Sequence, residues 1–176
     1  MRVIGLAGWS GAGKTTLLLK LLPEFARRGL RVSTIKHAHH AFDVDTPGKD
    51  SFEHRKAGAH EVLVTSSMRF ALMHDLRGAP EPSLSDHLGR LSPVDLVVVE
   101  GFKREPIAKI EVFRRANGKP FLHTDDASIV AIASDDPAPS ASLPHVSIDD
   151  TSAVADLMLR FAGQVAGPSM GWAEPL

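Results

Sequence analysis

The strongest constraint on the fold of this chain lies near its N-terminus. Gly8-Trp9-Ser10-Gly11-Ala12-Gly13-Lys14-Thr15 satisfies the pattern G-x-x-x-x-G-K-[ST]. It sits between an apolar run, Val3 to Ala7, and a segment from Thr15 to Arg28 whose Leu17, Leu18, Leu21, Leu22 and Phe25 recur at helical spacing. Strand, glycine loop and helix in that order place successive backbone N–H groups, and the positive end of a helix, around a polyphosphate. Ser10, Gly11, Ala12, Gly13, Lys14, Thr15 and Thr16 form the expected phosphate-binding set. Lys14 is positioned to neutralise the outer phosphates, and the Thr15 hydroxyl to join a Mg²⁺ shell. Pro23 is expected to kink this helix or move its end, and Gly29 to stop it before a second strand, Arg31 to Ile35. The unit reads as βαβ, with parallel pairing and an α/β class of fold.

Downstream, residues 37 to 48 read as a loop, and Asp50 as the cap of a helix through Gly58. Glu61 to Ser66 and Arg69 to His74 read as a hairpin turning at Ser67 and Met68. A short helix over Leu84 to Leu91 precedes Asp95 to Val99, whose continuous apolar character predicts a central strand covered on both faces. Strands are expected at Lys109 to Arg114 and Ile129 to Ala133. A Pro/Ser-rich loop spans 137 to 144, and a helix runs from Ser152 to about Val165. The reading is one domain over residues 1–166 with a flexible C-terminal tail over 167–176.

Composition narrows the function classes. Twenty Lys and Arg against twenty-one Asp and Glu give a net charge of −1, which argues against a general nucleic-acid binder, so any phosphate site must be local. With no cysteine there is no disulfide, thiolate nucleophile or iron–sulfur ligand, which suits a reducing cytoplasm. No apolar run approaches the length of a signal core or a membrane span, so a soluble, cytoplasmic protein without membrane association is expected.

Glu100 ends the buried strand and is followed by Gly101, the position at which a P-loop protein places a carboxylate toward Mg²⁺; Thr15 and Glu100 are the expected metal pair. Asp95 stands at the wrong end of that strand. The block His37, His39 and His40, followed by Asp43 and Asp45, reads either as a transition-metal cluster or as a loop near the γ-phosphate or a second substrate. Asp43 and Asp45 are candidates for orienting a water. Lys103, Arg104 and Lys109 are candidates for a further anion or a partner surface. The guanine pattern [NT]-K-x-D is absent. Ser134 and Asp135, just after an apolar strand, are the candidate acceptors for a guanine edge.

These residues together resemble the molybdopterin-guanine dinucleotide biosynthesis protein B family. The likeness runs through the glycine loop to Thr16, Ile35 to His40, Asp43-Val44-Asp45, Pro47 to Ser51, Arg55 to Ala59, Val99 to Lys103 and Ile107 to Ile110, and covers residues 2 to about 162. It implies a P-loop NTPase-type three-layer sandwich with a mostly parallel sheet and a hairpin used in homodimer formation. It also implies a GTP- and Mg²⁺-binding adaptor with weak GTPase activity, whose partners are the molybdenum cofactor guanylyltransferase and molybdopterin. By that likeness, Ser134 and Asp135 meet guanine, while the histidine loop and Lys103 meet the pterin or the partner enzyme. Two other functions use the same cradle: a small-molecule kinase or fast NTPase, and a metallochaperone GTPase carrying nickel or another metal on His37, His39 and His40.

Overall fold

The computed structural model describes residues 1–38, 42–136 and 142–165. His39, His40 and the proposed tail fall outside them. The chain divides into two compact units, Met1–His37 joined with the described residues from Leu84 onward, and Ala38–Ser83, where the sequence reading has a single domain.

The first unit carries β1 (Arg2–Ala7), α1 (Lys14–Arg27) and β2 (Val32–Lys36). After the second unit come α3 (Leu84–Gly89), β5 (Leu96–Glu100), β6 (Lys109–Phe113), a turn of 3-10 helix at Arg115–Asn117, β7 (Ile129–Ser134), β8 (His145–Ser147), α4 (Thr151–Phe161) and β9 (Gly163–Gln164). The second unit holds α2 (Asp50–Lys56), β3 (Glu61–Thr65) and β4 (Phe70–His74). The sheet order is β2-β5-β1-β6-β7-β8, all parallel, with β9 antiparallel beside the start of β1. The expected βαβ unit is present, but β5 lies between β1 and β2.

Strand periodicity builds the layers. On β5, Leu96 and Val98 join Ile4 and Leu6 of β1 against Leu17, Leu21 and Phe25 of α1 and Val154 and Met158 of α4. Val97 and Val99 join Val3 beneath Leu84 and Leu88 of α3. The run is apolar throughout because both faces are covered, which gives the expected three-layer arrangement.

Helix α1 continues through Pro23 without ending there. Leu19, whose carbonyl would have received the missing bond, lies on the exposed face where water can replace it. The helix stops as expected: Gly29 takes φ +76°, its N–H donates to Ala26 O, and Leu30 N–H reaches back to Phe25 O, so the last carbonyls are satisfied. Arg28 then joins α1 to α4 through Asp156 and Ser152.

Other boundaries moved. Lys49, not Asp50, stands at the N-cap position of α2 without a side-chain cap, leaving Asp50 in the first turn where its charge suits the helix dipole, and the helix ends at Lys56 before Gly58. Helix α4 begins at Thr151, capped by the Asp150 carboxylate accepting from Ala153 N–H, and ends at Phe161 because the chain then turns to pair with Arg2 and Val3. In the hairpin, Ser66 replaces the usual Asn-Gly chemistry: its Oγ accepts from Met68 N–H and Arg69 N–H, closing the turn from the side chain.

Candidate nucleotide site

The cradle leaves β1 and enters α1 on three glycines with positive φ: Gly8 at +146°, Gly11 at +81° and Gly13 at +91°. Gly8 is required twice, since a Cβ there would lie 2.5 Å from the carbonyl oxygen of Val112 on β6. The N-terminus of α1 carries no side-chain cap and no acidic residue in its first turn. Its first N–H groups and its dipole are therefore not taken by a side chain of its own first turn, as an anion site at a helix start requires.

Lys14 Nζ donates to the carbonyls of Gly8 (2.8 Å) and Trp9 (3.0 Å), curling back over its own loop. Burial lowers its pKa; Glu100 opposes that fall, while Lys103 and Lys36 add to it. Lys14, Lys36, Glu100 and Lys103 thus share one electrostatic neighbourhood at the ends of β1, β2 and β5. Glu100 lies in register with Leu6 of β1 and Lys36 of β2, at the strand end predicted for it. Thr15 and Glu100 are hard-oxygen donors of the kind Mg²⁺ takes while keeping several waters, and the exposed Thr15 leaves room for them, so the donor set fits that ion.

His37 is drawn into this corner. Its N–H donates to Glu100 O (2.8 Å), its ring lies 4.8 Å from that of Phe102, and a Cβ on Gly101 would stand 2.6 Å from its own Cβ. The Glu-Gly pair is thereby explained: Gly101 takes φ +94° because β2 passes too close for a side chain. Lys103 and Arg104 are exposed on the turn that follows.

Lys109 has a different position from the one the sequence reading assigns it. It is 2% exposed, and its ammonium donates to Lys103 O (3.0 Å), Asp126 Oδ2 (3.2 Å) and Ser128 Oγ (2.6 Å). All three donors are committed within the protein, so none remains for an anion. Its stem passes where a Cβ on Gly5 would come within 2.8 Å of Lys109 Cγ. Lys109 therefore fixes the turn bearing Lys103.

Asp43 and Asp45 lie in the second unit and are tied into its own network. Asp43 accepts from Arg55 (2.6 Å) and from Asp45 N–H (2.9 Å), and the Arg55 bond holds its carboxyl below the usual range. Asp45 accepts from Ser51 and Thr46 N–H. Asp43, a low-pKa carboxylate engaged at both oxygens, is a poor base, and with Asp45 it clamps the loop to Arg55 and Ser51. Among the described residues no group of three His, Asp or Glu side chains is arranged to hold a metal ion.

Ser134 ends β7 and Asp135 follows it, at the same C-terminal end of the parallel strands as the cradle and Glu100. Ser134 is buried, with its hydroxyl accepting from Asp136 N–H (2.7 Å). Asp135 accepts from Arg115 N–H at 2.8 Å.

Sequence reasoning missed the connection from β6 to β7. Glu111, fully buried, accepts from Leu122 N–H (2.6 Å), His123 N–H (3.0 Å) and His123 Nδ1 (2.9 Å). Phe121 stacks on Phe113, Trp9 Nε1 donates to Pro120 O (2.8 Å), and Asn117 Nδ2 donates to Ser10 O (3.0 Å). Little in β6 signalled it, because the alternation of Lys109, Ile110, Glu111 and Val112 reads as a strand with one solvent face, whereas all five of its residues are buried.

A glycine-wound loop feeding an uncapped helix, with a lysine over it and an acid at the end of the adjacent parallel strand, defines a nucleotide-binding protein of the P-loop class. The sequence matches the family model for "Molybdopterin guanine dinucleotide synthesis protein B" over residues 3–135. The chain belongs to that family.

It is 44% identical over 162 residues to the "Molybdopterin-guanine dinucleotide biosynthesis adapter protein" of Escherichia coli (strain K12), covering 90% of this chain and 92% of that one. A protein of the same description from Haemophilus influenzae is 43% identical over 138 residues, covering 77% and 75%. Among solved structures, a "molybdopterin-guanine biosynthesis protein B (mobB)" superposes with TM-score 0.71 at 25% identity, over 90% of this chain and 98% of the other. No helix among the described residues is long and apolar enough to cross a membrane.

Proposed function

We propose that this chain is a GTP-binding adaptor in the biosynthesis of molybdopterin guanine dinucleotide. It would bind GTP with Mg²⁺ and present it, as a homodimer in the cytoplasm, to the guanylyltransferase that joins GMP to molybdopterin. Family membership and the relatives' descriptions as adapter proteins support the pathway. The observation that carries the nucleotide reading is the cradle itself: three left-handed glycines opening on an uncapped helix, with Lys14 in the field of Glu100.

In this reading the N–H groups of Gly11 to Thr16 and the Lys14 ammonium hold the phosphates, while Thr15 and Glu100 hold Mg²⁺. The metal, when bound, neutralises charge on the outer phosphates. Asp135 stands just past the strand end, where guanine's ring N–H and amino group would find an acceptor, while the buried Ser134 holds the turn through Asp136 N–H instead of meeting the base. His37, Lys103 and Arg104, on the rim beside Glu100, are the surface offered to the pterin or the partner enzyme.

Slow hydrolysis fits candidate bases that are engaged elsewhere: Asp43 is bonded to Arg55, and Asp45 lies beside the same guanidinium. Leu63, Phe70 and Leu72 are exposed on one face of the β3–β4 hairpin, with Met68 at its tip, an apolar surface suited to a second copy of the chain.

Nucleotide-dependent melting tests the reading. A ligand at about 100 times its Kd stabilises by about 2.7 kcal/mol, which at this length raises the midpoint by roughly 5–10 °C. GTP with Mg²⁺ is expected to do so, and ATP not. Equal shifts with both would remove the guanine assignment; rapid turnover without a partner would favour a kinase or NTPase; stoichiometric nickel retention lost on His37→Ala would favour a metallochaperone.

A further inference from the structure

The loop after β6 touches both ends of the site described above. Arg114 directs its guanidinium at the start of α1, with Nε 3.2 Å from where a Cβ on Gly13 would sit. Its NH1 faces Asp135 Oδ2 at 3.8 Å and its NH2 faces Asp149 Oδ1 at 3.9 Å, ion-pair distances longer than a hydrogen bond. The next residue completes the hold on the acid pair: Arg115 N–H donates to Asp135 Oδ1 (2.8 Å), and Arg115 NH2 lies 2.9 Å from Asp136 Oδ2. Two residues further, Asn117 reaches back to the cradle with Nδ2 on Ser10 O at 3.0 Å, and its Oδ1 stands 3.2 Å from where a Cβ on Gly11 would be. A single 3-10 turn, closed by Asn117 N–H on Arg114 O and Gly118 N–H on Arg115 O, carries all of these contacts.

We infer that residues 114–117 form a positioning bridge between the phosphate cradle and Asp135, in which Asn117 sets the loop that receives the phosphates and Arg114 sets the carboxylate that selects the purine. The inference rests on the GTP reading above and extends it to residues outside the glycine motif and the strand-end acid. Arg114 acts through Asp135. Removing its cation takes away the charge facing Oδ2 while Arg115 N–H still holds Oδ1, so the carboxylate is set less firmly and the loss falls on guanine rather than on the phosphates. Asn117 acts through Ser10. Removing its amide loosens the loop, so the loss falls on every ligand that carries the phosphate chain.

The test is equilibrium dialysis of the full chain with GTP, ATP and inorganic tripolyphosphate, each with Mg²⁺. In R114Q, GTP affinity should fall about fivefold, the upper size of a partly exposed ion pair, with ATP and tripolyphosphate within about twofold of wild type. In N117A all three should fall together by about fivefold, the size of one net neutral hydrogen bond, leaving the preference for GTP intact. R114K restores a cation without the planar fork and should recover part of the preference, which keeps the assignment testable if R114Q folds poorly. A parallel loss of all three ligands in R114Q, or an unchanged GTP-to-ATP ratio, would overturn the role of Arg114. An N117A variant that binds as wild type would overturn that of Asn117. If the wild-type chain binds GTP and ATP equally, the guanine reading fails and the bridge's role in selection fails with it. A wild-type preference that survives in R114Q refutes the inference alone.

Discussion

Substituting alanine for Gly8 separates two causes that usually act together. The φ of +146° at Gly8 belongs to a region only glycine occupies comfortably, which costs another residue about 1–3 kcal/mol. The added Cβ would also meet Val112 O at 2.5 Å, and that oxygen belongs to a backbone paired within the buried sheet. Relieving the overlap means displacing the loop or the strand, and overpacking of this kind costs about another 1–3 kcal/mol. Gly29 supplies the control, because its φ is +76° and nothing lies within 4 Å of an added Cβ. Gly29→Ala should cost about 1 kcal/mol, and Gly8→Ala about 4 kcal/mol. At about 2–4 °C per kcal/mol for this length, the melting midpoint falls by about 3 °C in the first and about 12 °C in the second. Scanning calorimetry on the two variants reads the difference. Equal depressions would mean that Val112 yields freely and that β6 does not back the cradle.

Other consequences follow from single contacts. Glu111→Gln should lower stability to urea by about 2 kcal/mol, because a buried carboxylate receiving two backbone N–H groups and a histidine loses its charge-assisted bonds; a change within about 0.5 kcal/mol would contradict this. Glu24 accepts from Arg27 and, next in weight, Arg28, and these bonds lower its pKa from 4.5 to about 2. A depressed carboxyl contributes stability that is present above pH 4.5 and lost as the pH falls toward 2, so Glu24→Gln should flatten unfolding curves across that window; parallel acid loss in both proteins would exclude the assignment. Leu72→Lys, on the exposed face of the hairpin, should shift sedimentation at micromolar concentration from dimer to monomer. A dimer persisting in the variant would place the interface elsewhere.

The cradle was legible because its chemistry is contiguous: eight residues carry the turn, the charge and the hydroxyl, and the apolar runs on either side identify their elements. Glu100 was legible for a related reason, standing where a continuous Val/Leu run stops. Lys109 was misread because a lysine beside Lys103 and Arg104 looks like a surface cation. Only the absent side chain of Gly5, which a sequence does not connect to residue 109, opens the channel that buries it. The strand β8 escaped notice because three residues carry no periodicity. Asn117 and Ser10 are 107 positions apart, and nothing local marks either as the other's partner. Asp43 and Asp45 looked reactive because the arginine that occupies them lies on the following helix, ten or more residues away.

On the proposed function, the loop from Gly8 to Thr15 receives a guanine nucleoside triphosphate through Lys14 and the start of α1. Titration calorimetry of the full chain with GTP and Mg²⁺ is its most direct measurement, made beside Lys14→Ala. Saturable heat at about one nucleotide per chain is expected, weakened about 100-fold in the variant, the size of a strong hydrogen bond to a charged group. The variant's melting temperature should stay within about 2 °C of wild type, because Lys14 makes bonds to loop carbonyls and none to the core. Folded wild-type protein that takes up no GTP, or a variant that binds it equally well, would contradict the account.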